Sequence, residues 1–198
     1  MKKVFLRVTA CFLAAAGIYV FSLFKNQESL QENLTRLHVV AASDREEDQQ
    51  IKLKVRDAVL ESLSEGLERM SDPQQAKAYL EAMVPKLQRL VNDTLKSLGV
   101  SDQAVVSFCR EAFDVRHYES FSLPAGIYDS LKVVIGPGEG HNWWCVAYPQ
   151  LCLGATTREV ETMAAQAGIP DSARGAITGR YRLRFFLLDL LGRLRSES

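Results

Sequence analysis

One unbroken apolar run and two kinds of hydrophobic periodicity divide this chain. From Val8 to Phe24 no residue carries a charge. As a helix these residues reach about 26 Å, just short of a hydrocarbon core of about 30 Å. A buried helix of a soluble domain would show a polar face, and this run has none. Lys2, Lys3 and Arg7 precede it and Lys25 follows, so the positive-inside bias sends the rest of the chain across the membrane. Two readings stay open for the run. It is an uncleaved signal anchor, favoured because it stays apolar beyond its alanines, or a signal peptide cut near Ala14–Gly17. Residues 1–25 then form the signal or anchor, 26–35 a polar tether, and 36–198 a single extracytoplasmic domain.

Within that domain the apolar positions change period. Arg36 to Ala42 reads as a β-type run, with Leu37, Val39 and Ala41 on one face and His38 and Val40 on the other. Ser43-Asp44-Arg45-Glu46 has the form of a capping box. Behind it Ile51, Val55, Val59, Leu63 and Leu67 recur every four residues, which predicts a helix with Lys52, Lys54, Arg56 and Glu61 toward water. A second helix is expected from Asp72 as cap and Pro73 in its first turn, through Ala76, Leu80, Met83, Leu87, Leu90, Thr94 and Leu98, to Gly99. Pro85 inside that stripe predicts a kink or break at Val84. Ala104 to Val115 alternates as a strand, and Leu131 to Ile135 is another. Arg180 to Arg195 reads as an amphipathic helix burying Phe185, Leu188 and Leu191, although its first residues also alternate like a strand. The order predicts an α+β domain: a small antiparallel sheet packed by two or more amphipathic helices, preceded by the N-terminal membrane or signal helix.

Charge narrows the function classes. The chain has 24 basic and 24 acidic residues, but four of the basic ones flank the apolar run. The remainder is mildly acidic, which argues against a nucleic-acid partner. Gly136-Pro-Gly-Glu-Gly lacks the lysine and following helix of a phosphate loop, so its glycines signal a sharp turn or a close backbone approach. The three histidines lack metal-ligand spacing, so neither metal nor cofactor is expected, nor a small-molecule substrate. Cys145 and Cys152 are expected to form a disulfide across the loop that contains Pro149, because the domain faces a non-cytosolic space. Alternatively Cys145 is a nucleophile with His141, His117 or His38 as base, or Glu139 is an acid, as in a hydrolase of cell-wall peptidoglycan. A bridged Cys145 would have no thiolate to offer. Trp143 and Trp144 supply either core or, if one is exposed, a protein hot spot or a sugar-stacking platform.

Arg36-Leu-His-Val-Val-Ala-Ala-Ser-Asp, Gln49 to Val59, Leu123-Pro-Ala-Gly-Ile-Tyr and, above all, Gly138-Glu-Gly-His-Asn-Trp-Trp-Cys-Val together resemble stage II sporulation protein R of endospore-forming bacteria. The resemblance spans roughly Leu34 to Leu191. It departs from the family pattern at Ala42, where asparagine is usual, and at Gln150, where a second proline often follows the first. It implies a non-enzymatic signalling protein, exported across the forespore membrane into the intermembrane space and either anchored through residues 8–24 or released. There it would activate a membrane-embedded aspartic protease that processes the sigma-E precursor. The expected partner-binding residues are His38, Ser43, Asp44, Glu139, Gly140, His141, Asn142, Trp143 and Trp144.

Overall fold

The computed structural model describes residues 1–151 and 155–196, with side chains through Leu194. Helix α1 (Lys2–Asn33) leads into strand β1 (Thr35–Val40), then helices α2 (Glu46–Glu68) and α3 (Pro73–Ser97). Strand β2 (Ala104–Phe113) is followed by a two-stranded lip, β3 (Arg116–His117) with β4 (Ser122–Leu123). Strands β5 (Gly126–Ile135) and β6 (Asn142–Tyr148) complete the sheet, and α4 (Thr157–Gln166), α5 (Asp171–Ile177) and α6 (Arg182–Ser196) follow. The α+β class stands.

The main sheet has the order β2-β5-β1-β6. It is mixed and not purely antiparallel, because β1 lies parallel to β5, while β2 and β6 are antiparallel to their neighbours. Alternation along a strand reports which residues share a face and carries no information about direction. Here the chain leaves β1 through two helices and an edge strand, so it re-enters beside β1 pointing the same way.

Strands β5 and β6 are consecutive in the chain, yet β1 sits between them. The loop from Gly136 to His141 must therefore cross over the end of β1. There the Glu139 and Gly140 amides donate to the carbonyls of Ala42 and Ala41 at 3.2 and 3.0 Å. A Cβ at Gly140 would overlap the Ser43 carbonyl, and Gly136 and Gly138 adopt φ of 55° and 67°. Close approach and positive φ both require glycine at this crossing.

Leu37, Val39, Leu131, Val133, Ile135, Cys145 and Ala147 point toward α2 and α3 and form one core with Val55, Leu63, Leu80, Leu87 and Val91. On the opposite face Phe113, Tyr128 and Val146 pack with Leu23, Leu30 and Leu34 and with α4, α5 and α6. Arg36 is fully buried in this second layer. Its guanidinium lies 4.3 Å from the Phe113 ring centre and donates to Tyr118 Oη at 2.9 Å and to the Cys145 carbonyl at 3.2 Å.

Several expectations change. Residues 26–33 are not a tether: α1 continues unbroken to Asn33 and buries Asn26, Gln27 and Leu30 in the second core. Their polar composition hid an apolar edge completed by Leu23 and Leu34. The capping box at Ser43 does not form. Arg45 occupies the cap position without a side-chain cap bond. The Ser43 hydroxyl instead donates to Asp48 and accepts from the Arg45 amide. A capping box does occur at Thr156–Glu159. Helix α3 starts as expected, with Asp72 accepting from the Gln74 amide at 3.1 Å. It runs through Pro85 without a break and ends with Gly99 at φ 74°. Helix α6 is helical from Arg182, and Leu188 is buried.

Candidate partner-binding surface

The nine residues singled out in the sequence fall into two adjoining clusters and one outlier. The first cluster lies on the sheet face away from α2 and α3. In the register His38 sits opposite Trp144, and Val40 opposite Asn142. His38 Nδ1 donates to Glu111 Oε1 at 3.0 Å, and Nε2 lies 2.8 Å from Asn142 Oδ1. The Lys132 ammonium donates to the other Glu111 oxygen at 2.9 Å. Burial alone would raise the Glu111 pKa, but the bonds from His38 and Lys132 hold it at about 2. One carboxylate thus ties β1, β2, β5 and, through His38, β6. Trp144 stacks on His38 with ring centres 5.6 Å apart, and the Arg116 guanidinium covers its ring at 3.5 Å. Two side chains therefore already lie against the Trp144 ring and compete with any sugar for it.

The second cluster is the crossing itself. The His141 amide donates to Asp44 Oδ1 at 2.6 Å, and His141 Nδ1 bonds the same oxygen. These two bonds, the amide's first, lower the pKa of the Asp44 carboxyl. Lys52 reaches the His141 carbonyl at 2.9 Å and Gln49 Oε1 at 2.5 Å. It is 5% exposed, not turned to water as its helical position suggested, and burial pushes its ammonium pKa down. Glu139 is exposed at the top of the loop. The outlier is Trp143, which faces the α2 side beneath the Arg56 guanidinium at 4.3 Å. Arg56 therefore also differs from expectation, because its stem and head cover an aromatic ring and do not simply face solvent.

Sequence reasoning missed Glu111, Lys132, Lys52 and Arg116. Glu111 was signalled only by sharing a strand face with Val105, Ser107 and Cys109. Nothing local pointed to His38, which lies far away in the chain. Around the first cluster Val105, Ser107, Cys109, Lys132 and Val134 lie outside the second core and stay exposed or half-exposed. The cleft between His38, Glu111, Phe113, Arg116 and Trp144 holds only about 110 Å³, well under the several hundred of a typical small-ligand site. This surface is polar, aromatic and half-buried.

Cys145, the nucleophile of the hydrolase reading, is not presented at an open surface. Cys145 is 2% exposed in the core toward α2 and α3. His141 is engaged with Asp44, His38 with Glu111 and Asn142, and His117 lies 2.8 Å from Ser122 Oγ. Among the described residues no group of three or more His, Cys, Asp or Glu side chains is placed to hold a metal ion. The free cysteines among them are Cys11 and Cys109. The expected partner of Cys145, Cys152, lies outside the described residues.

Comparison with known proteins places these features in one lineage. No solved structure matches the chain. The stage II sporulation protein R of Bacillus subtilis (strain 168) is 28% identical over 160 residues, covering 77% of this chain and 71% of that protein. The family described as stage II sporulation protein R matches residues 31–158, a span that contains both clusters and the whole sheet. With more than half its length matched, the chain belongs to the stage II sporulation protein R family.

Proposed function

We propose that this sporulation protein is an exported signal that binds the extracytoplasmic side of a membrane-embedded aspartic protease and so triggers processing of the sigma-E precursor. The observation that carries the reading is family membership across the whole partner-facing sheet. The apolar first part of α1, long enough to serve as a signal or membrane anchor, supports export across the forespore membrane. The His38–Glu111–Asn142 network and the Asp44–His141 crossing form the docking surface. A ligand of this kind acts by binding the active state of the protease more tightly than the inactive one. A Cys145–Cys152 bridge belongs to the same proposal, and peptide mapping under non-reducing conditions reads it directly.

Co-expression of the full chain with the protease and the sigma precursor tests the reading. Processing should require both proteins. Trp144→Ala and Asn142→Ala, each checked for folding by circular dichroism, should reduce it. Full processing by both folded variants would remove this surface from the interface. Processing that ignores the presence of the chain would remove the function.

A further inference from the structure

Helix α6 lies beyond the residues that the family match covers, and it is apolar on two sides. Phe185, Leu188 and Leu191 pack inward. Leu183, Phe186, Leu190 and Leu194 form a second stripe, 68%, 62%, 44% and 59% exposed. A surface helix of a soluble domain turns its polar side outward, so this stripe calls for an occupant.

Three observations identify it. First, α6 packs along α1 where α1 passes from exposed to buried: the Arg184 guanidinium lies 5.3 Å from the Tyr19 ring centre and donates to Ser22 Oγ at 3.4 Å. Farther on, Gly192 abuts Gln27 and the Ala125 carbonyl. The two helices therefore advance together, and the start of α6 is the end nearest the apolar run of α1. Second, Ile18 and Phe21 of α1 are themselves 71% and 64% exposed beside that end. Third, between Arg180 and Leu194 four arginines accompany one carboxylate, Asp189. Arg180 pairs with Glu161 and Asp171 and Arg193 with Asp189, so among the described ion pairs Arg182, exposed at the start of the stripe, is the one left to meet a headgroup. Arginines flanking an exposed apolar stripe are the composition of a helix that lies in the headgroup region of an anionic bilayer.

We infer that the first turns of α6, with Leu183 and Phe186 inserted and Arg182 at the headgroups, form a second membrane contact beside α1. The inference rests on reading the first part of α1 as the membrane segment. It gives the domain a fixed attitude on the lipid surface, with depth decreasing from Leu183 toward Leu194. If α1 is cut near Ala14–Gly17, α6 still holds the domain at the membrane.

The test reconstitutes the full chain into liposomes of phosphatidylcholine and phosphatidylglycerol carrying brominated acyl chains, which quench tryptophan on contact. Phe12→Trp reports α1, and Phe186→Trp and Leu194→Trp report the two ends of the α6 stripe, each against the wild-type signal of Trp143 and Trp144. The expected result is loss of the added emission for Phe12→Trp and Phe186→Trp, and much less loss for Leu194→Trp. Omitting phosphatidylglycerol should weaken the effect at position 186 more than at position 12. Quenching at 12 without quenching at 186 overturns the inference and leaves the reading of α1 intact. No quenching at either position overturns both. Emission at 186 that shifts with protein concentration and ignores bromolipid assigns the stripe to a second copy, which also overturns it.

Discussion

On one side of the sheet Leu37, Val39, Leu131 and Val133 meet Leu63, Leu80 and Leu87 of α2 and α3, each almost wholly removed from water. On the other side, at the same level of the same strands, stand His38, Glu111 and Lys132, joined by charge-assisted hydrogen bonds. Both faces are ordered, but different forces order them. Apolar contact is nondirectional and tolerates exchange of similar shapes. A half-buried carboxylate such as Glu111 depends on its donors, because a missing partner leaves a partly desolvated group uncompensated. The closed face supplies stability, and the other face holds a specific arrangement of polar groups, the one on which the proposed docking rests.

Substitutions can test that division. The largest effect should come from Leu131→Ala in the closed face, which leaves a cavity and costs about 2–5 kcal/mol in denaturant unfolding. A comparable cost with no change in the open-face network would confirm that the two sides are separable. Next is acid sensitivity. Glu111 titrates at about 2 in the folded chain, below its ordinary 4.5, so its contribution is present above pH 4.5 and is lost as pH falls toward 2. That contribution is on the order of 3 kcal/mol, and Glu111→Gln should flatten this part of the wild-type stability profile. An unchanged profile would separate Glu111 from the acid response. Gly140→Ala should cost about 1–3 kcal/mol, because its methyl displaces the Ser43 carbonyl, and it should lower signalling along with stability. Smallest in stability is Asp44→Asn at the exposed crossing. A loss of precursor processing in that variant at unchanged stability would mark the crossing as contact surface, whereas a parallel loss of stability would mark it as scaffold.

What the chain announced in advance follows the same division. The stripe of α2, the Asp72 cap and the Gly99 stop are local patterns, and each formed where spacing placed it. The stripe of α3 holds at Ala76, Leu80 and Leu87 but then turns onto Val91 and Leu95, leaving Leu90, Thr94 and Leu98 only half-buried. Strand β6 was not legible, because Trp143, Cys145 and Ala147 face one core while Trp144 and Val146 face the other. A strand buried on both sides shows no alternation. Lys52 looked solvent-facing because periodicity cannot show that a loop from the far end of the sheet will arrive over it. The family motifs drew attention to His38, Asn142 and Trp144, but not to their junction with Glu111, which depends on the pairing of β2 with β5 and of β5 with β1. The buried edge of α1 was obscured by its own glutamines and asparagine, whose side chains are partly accommodated inside: Asn26 accepts from Ser172 at 2.8 Å.

The placement of β1 between β5 and β6 bears on the order in which the chain can mature. Both edges of this strand wait for segments about a hundred residues later, Asp129–Val134 on one side and Asn142–Tyr148 on the other. On the proposed export route β1 would emerge early and without partners. The pairing that creates the His38 junction and the glycine crossing would become available only once Tyr148 had cleared the translocation channel. A chain stalled before that point would present neither cluster, so on this route competence would report passage through Tyr148 and not merely its onset.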